Sequence, residues 1–60
     1  MSFEVGDWVR TTTTGLEGRI VLISRLSAFI EVREVEGIRM VSYLLSSLEK
    51  IDPPRPENNS

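Results

Sequence analysis

The sequence predicts an all-β fold, five short strands wrapped into one small sheet, and three observations carry that expectation. Residues 3–12 alternate loosely, with Phe3, Val5, Val9 and Thr11 on one parity and Trp8, Arg10 and Thr12 on the other, in the β-branched and aromatic types that favour strands. Glu36-Gly37, an acid followed by glycine between two strand-like runs, is a strong hairpin signal. Helical spacing occurs only in residues 44–51, and Asp52-Pro53-Pro54 ends that stretch after little more than one turn.

The organising stretch is Val5 to Ile23. Gly6-Asp7 opens the first strand, residues 7–12, on a turn, and Thr11 to Thr14 carry extended backbone into a loop that ends at Gly15. A threonine run is a candidate phosphorylation target, but β-branched residues at a strand end account for it without one. Strand two, residues 18–24, starts on Gly18, where a strand glycine marks a bend, a bulge or a close approach of backbone. Ile20, Val21, Leu22 and Ile23 then run without alternation, so either both faces find cover or a bulge re-aims part of the strand.

After a turn at residues 25–27, strand three (28–35) sends Ala28, Ile30 and Val32 to the core and Phe29, Glu31, Arg33 and Val35 to the other face. Strand four is residues 38–43. In residues 44–51, Leu44, Leu45, Leu48 and Ile51 recur at three and four, and Ser46 with Glu49 has capping-box spacing; the preferred reading is a 3-10 turn at 45–47 followed by a last strand, 48–51. The expected core is Val5, Val9, Ile20, Ile23, Ile30, Val32, Val41, Leu45, Leu48 and Ile51. Residues 52–60 have no apolar side chain to bury and are expected to form a disordered tail. Pro53 and Pro56 make a minimal P-x-x-P, which could dock on an aromatic groove but also simply ends the last strand.

Composition excludes several classes of function. Sixty residues make one domain with a thin core, and with neither Cys nor His there is no disulfide and no Cys/His zinc site to reinforce it. The start Met-Ser-Phe-Glu lacks a basic region leading into an apolar run, and Arg25 and Glu31 interrupt the longest apolar candidate for a membrane span. A cytoplasmic protein with no membrane partner is expected. A net charge of −2 and a pI near 4.9 work against wholesale attraction to nucleic acid. Without His or Cys there is no base titrating near neutrality and no thiolate nucleophile. Glu31, Glu34 and Glu36 could supply a carboxylate pair, but alternation puts Glu31 on the face opposite Glu34 and Glu36. The expectation is a non-enzyme with no catalytic residues, cofactor or metal.

Val5-Gly6-Asp7-Trp8-Val9, followed by Gly15-Leu16-Glu17-Gly18-Arg19-Ile20 and Ile23, resembles the KOW-type motif, in which a G-D-x-V strand leads through a loop into G-x-V/I-x-x-I. With the Glu36-Gly37 hairpin and the closing Leu45-x-x-Leu48-x-x-Ile51, residues 3–51 are similar to the SH3-like small barrels that carry this motif. The resemblance implies a five-stranded SH3-like barrel over residues 1–51, and a role as a ribosomal or transcription-factor module, a Tudor-like peptide reader or a small subunit of a photosynthetic electron-transfer complex. RNA-binding members of the family tend to have basic loops between the motif strands. Here residues 11–17 hold Glu17 and no base. A Tudor-like cage would need most of Phe3, Trp8, Phe29 and Tyr43 to converge.

Six of the seven basic residues are Arg: Arg10, Arg19, Arg25, Arg33, Arg39 and Arg55. Arginine recognises carboxylate or phosphate with a planar fork and stacks on aromatics, so Trp8, Arg10, Arg19, Phe29, Arg33 and Arg39 form a candidate binding patch. The competing reading is a solvated face in which Arg33, Arg39 and Arg19 pair with Glu31, Glu34 and Glu17. The preferred function is protein docking, as a small accessory subunit or interaction module; the alternative is RNA or ribosome binding through the Arg set. A monomer or weak homodimer is expected, and incomplete cover of Val21, Leu22 or Met40 would favour the dimer.

Overall fold

A computed structural model describes residues 2–53, so most of the expected tail, including Arg55 and Pro56, lies outside the described residues. The chain forms β1 (Trp8–Thr11), β2 (Glu17–Ile23), β3 (Ser27–Glu34), β4 (Gly37–Leu44), a 3-10 turn (Leu45–Ser47) and β5 (Leu48–Lys50). All five strands belong to one antiparallel sheet in the order β4-β3-β2-β1-β5. The 3-10 turn and the short last strand therefore prevail over the helical spacing of residues 44–51. The sheet is open: β4 and β5 are its two edges, and among the described residues no ladder joins them into a barrel. β5 has three residues and spends its pairing on β1.

The core is Val9, Ile20, Ala28, Ile30, Val32 and Leu48, with Phe3, Leu16, Ile23, Val41, Tyr43 and Leu45 packed around it. Alternation along β1, β2 and β3 sends these side chains to one face of the sheet. Between Ile20 and Leu22 the β2–β3 register slips, so the apolar run is broken by a bulge at Val21. Leu22 consequently points away from the core and stays exposed, so the second face does not find cover.

Two expected placements are corrected. Val5 is 63% exposed rather than buried. Glu4 O accepts the Asp7 N–H at 3.0 Å, which makes Val5 a central residue of a tight turn, and Gly6 at φ 99 supplies the left-handed position beside it. Val35 does not extend β3. Glu34 pairs with Gly37, so Val35 and Glu36 are the two loop residues of the β3–β4 hairpin, and Val35 stands free in solvent.

The two halves of the organising stretch, residues 5–23, bond directly to each other. Gly6 N–H donates to Ile20 O at 2.8 Å, and Ile20 N–H donates to Asp7 O at 2.9 Å. Gly18 is buried opposite Val9, and a Cβ there would lie 2.5 Å from the backbone O of Glu31. Close backbone approach is thus the reason for this glycine. The threonine run closes the β1–β2 loop: Thr11 O accepts the Gly15 N–H, and Thr11 Oγ1 accepts from Leu16 N–H and shares a bond with Thr14 Oγ1. Thr11 is buried with its hydroxyl satisfied, an inward polar residue that costs little because it is paired.

Candidate functional site

The outer face of the sheet, opposite the core, is where the candidate side chains meet. Register aligns Trp8 of β1 with Arg19 of β2, and Arg19 with Glu31 of β3, in a single cross-strand row. Directly opposed residues of an antiparallel pair share a face, so this row stands together on the outside. Arg33, two residues beyond Glu31, and Glu17, two before Arg19, extend it. These five side chains line an open groove of about 400 Å³.

Electrostatics within and beside the groove are mostly internal. Arg19 Nη2 lies 3.7 Å from Glu31 Oε1, a loose pair. Arg10 is committed more firmly: its Nε and Nη2 both reach Glu49 Oε2, at 3.0 and 2.9 Å, with Glu17 Oε2 3.7 Å from Nη1. Arg33 is exposed and has no ion-pair partner among the described residues. The pairing differs in detail from the expected one, since Arg19 takes Glu31 and Glu17 goes to Arg10. Only Arg39 with Glu34, at 3.0 Å, pairs as anticipated.

The structure therefore brings together Trp8, Arg19 and Arg33, with Arg10 at their border. Phe29 is on the same face but one step further along the register, opposite Leu22. Arg39 stands apart from the others. It opposes Val32 and shares its parity with Val41 and Tyr43, which turn to the core, so it emerges on the other side of the sheet at the hairpin end. Glu17 and Glu31 are not in the patch that the sequence suggests, yet both line the groove. The i, i+2 spacings Glu17/Arg19 and Glu31/Arg33 are the signal that places them there. The four aromatics divide, with Phe3 and Tyr43 packed on the core and Trp8 and Phe29 outside, so they do not converge into a cage.

At the edge of the sheet, Asp7 Oδ2 accepts the Glu4 backbone N–H at 2.9 Å and meets Lys50 Nζ at 3.3 Å. The backbone bond first, and then the ammonium, hold its carboxyl below the usual range, against an opposing effect of burial. Lys50 also lies over the Phe3 ring, 5.9 Å from its centre. Among the described residues no group of acids is placed to hold a metal ion, and no helix is long and apolar enough to cross a membrane.

Fold and site together define a small antiparallel β-domain with a mixed aromatic and arginine groove on its outer face. Comparison of the chain with protein-family models, with curated proteins and with solved structures finds no match.

Proposed function

We propose that this chain is a non-catalytic protein-docking module, an SH3-like small barrel in kind, whose recognition surface is the groove between Trp8 and Arg33. What supports the small-barrel reading is the pairing of the first strand with the last and the mutual bonding of the two KOW-like halves. The observation that carries the docking reading is Arg33. It is an exposed guanidinium without a carboxylate partner among the described residues, lining the same groove as Trp8. An unpaired Arg beside an aromatic offers a bidentate acceptor site next to a flat apolar surface, the pair of groups that dominates interface energetics.

Protein is the better partner for this face than RNA. Arg10, Arg19 and Arg33 are matched there by Glu17, Glu31 and Glu49, three against three, so the face has no net charge to attract phosphate. A partner segment presenting a carboxylate beside an apolar residue fits the groove. The test is parallel capture with tagged wild type, Trp8→Ala, Arg33→Ala and Arg25→Ala. Loss of the same partner in the first two variants and retention in the third is expected. Unchanged capture by Trp8→Ala sinks the reading, and so does capture of RNA that collapses with added salt.

A further inference from the structure

We propose that two copies of this chain pair antiparallel through β4, about a twofold axis at Val41, and so join their sheets into one. This surface is distinct from the groove on β1 to β3. β4 has eight residues, pairs with β3 without a break, and among the described residues has no neighbour on its other side. Leu45 N–H donates to Leu26 O at 2.8 Å, on the β3 side. Alternation then turns the N–H and C=O groups of Ile38, Met40, Ser42 and Leu44 to the free edge. The protections usual on such an edge are missing, since β4 has no proline, lysine or bulge. Its one charge, Arg39, reaches inward to Glu34 rather than out over the edge.

Self-complementarity identifies the occupant. In a continuous sheet, residues directly opposed across a twofold axis share a face, so the two numbers of each pair sum to an even value. An axis at Val41 uses Ile38 to Leu44 entirely. It sets Ile38 against Leu44 and Met40 against Ser42 on the outer face, and Arg39 against Tyr43 and Val41 against its own copy on the inner one. Ile38, Met40 and Leu44 are each more than half exposed in the single chain. This register opposes Ile38 with Leu44 and Val41 with its own copy, sets Met40 beside the small Ser42, stacks the one cation on a tyrosine, and leaves no like charges facing. Shifting the axis to Met40 instead sets Leu44 against Glu36, and shifting it to Arg39 opposes two guanidinium groups.

The register makes a sharp prediction because the chain contains no cysteine. In Val41→Cys the two thiols would face each other at a non-hydrogen-bonded pair, with Cα atoms about 4.5 Å apart, within disulfide reach. In Ile38→Cys they would be separated by about six residues of strand, or roughly 20 Å. Mild oxidation is expected to convert most of Val41→Cys to a covalent dimer and little of Ile38→Cys. Sedimentation of the wild type should show a concentration-dependent dimer, and Ser42→Pro, which removes only a free-edge N–H, should shift it to monomer while keeping the β-sheet circular dichroism spectrum. A wild type that stays monomeric at millimolar concentration overturns the proposal, as does equal cross-linking of the two cysteine variants.

Discussion

β1 and β4 make an instructive pair. β1 is four residues, Trp-Val-Arg-Thr, and buries two of them completely or nearly so. β4 is eight residues, Gly-Ile-Arg-Met-Val-Ser-Tyr-Leu, richer in apolar side chains, and buries none. The difference is position in the ladder. β1 lies between β2 and β5, so its inward side chains have neighbours on both sides, whereas among the described residues β4 has a neighbour on one side only. Apolar character sets which face of a strand can be buried; flanking strands set how much of it is. The short strand thus anchors the domain, and the long one is left available for a partner.

The largest test of that contrast uses one residue type at two places. Ile20 is fully buried beside β1, and Ile38 is 59% exposed on β4. Ile20→Ala is expected to cost about 2–5 kcal/mol, comparable to the roughly 3–5 kcal/mol such a small domain retains, so much of the variant should be unfolded at 25 °C. Ile38→Ala should cost about 0.5 kcal/mol or less when measured by urea unfolding at dilutions that keep the chain monomeric. Equal losses would mean that β4 is packed as tightly as β2.

Next in size is Gly18→Ala. The added methyl meets the Glu31 carbonyl at 2.5 Å, backbone rather than a flexible side chain, so β2 and β3 must separate locally. A loss of about 3 kcal/mol is expected, at the upper end for overpacking. Protection of β1 and β2 amides from hydrogen exchange should fall more than that of the β3–β4 hairpin, and uniform loss would break the contrast between the two regions.

The smallest effect is the acid response at the N-terminal turn. Because the folded Asp7 carboxyl titrates below its unfolded value, its contribution to stability is present above the ordinary carboxylate pKa and is lost as pH falls through the folded one. Unfolding midpoints should therefore decline below about pH 4, the ordinary carboxylate range, and Asp7→Asn should reduce that decline by lowering the neutral-pH midpoint slightly while leaving the acid one nearly unchanged. An identical acid slope in the variant removes Asp7 from the account.

Much of the sheet is legible in local chemistry. Alternation in residues 28–34, the Glu36-Gly37 turn and the prolines after Asp52 locate strands and hairpin to within a residue or two. The site is legible only in part. Trp8, Arg19 and Arg33 fall on one face by parity, but parity cannot tell which arginine is already engaged. Arg10 and Arg33 look alike in sequence, and only the arrival of Glu49 from the last strand commits one, while the other has no ion-pair partner among the described residues.

The sequence by itself determines an all-β chain, its strand positions, its glycine corner and the inward set Val9, Ile20, Ala28, Ile30 and Val32, because period-2 patterning and turn chemistry act over a few residues. Tertiary structure alone decides that Val5 sits in solvent on a turn, that the bulge falls at Val21, that Gly18 faces the Glu31 carbonyl, and that Arg39 leaves the patch for the opposite side. These depend on register between strands distant in sequence. A shift of one residue in that register exchanges the faces of a strand while leaving its local pattern intact.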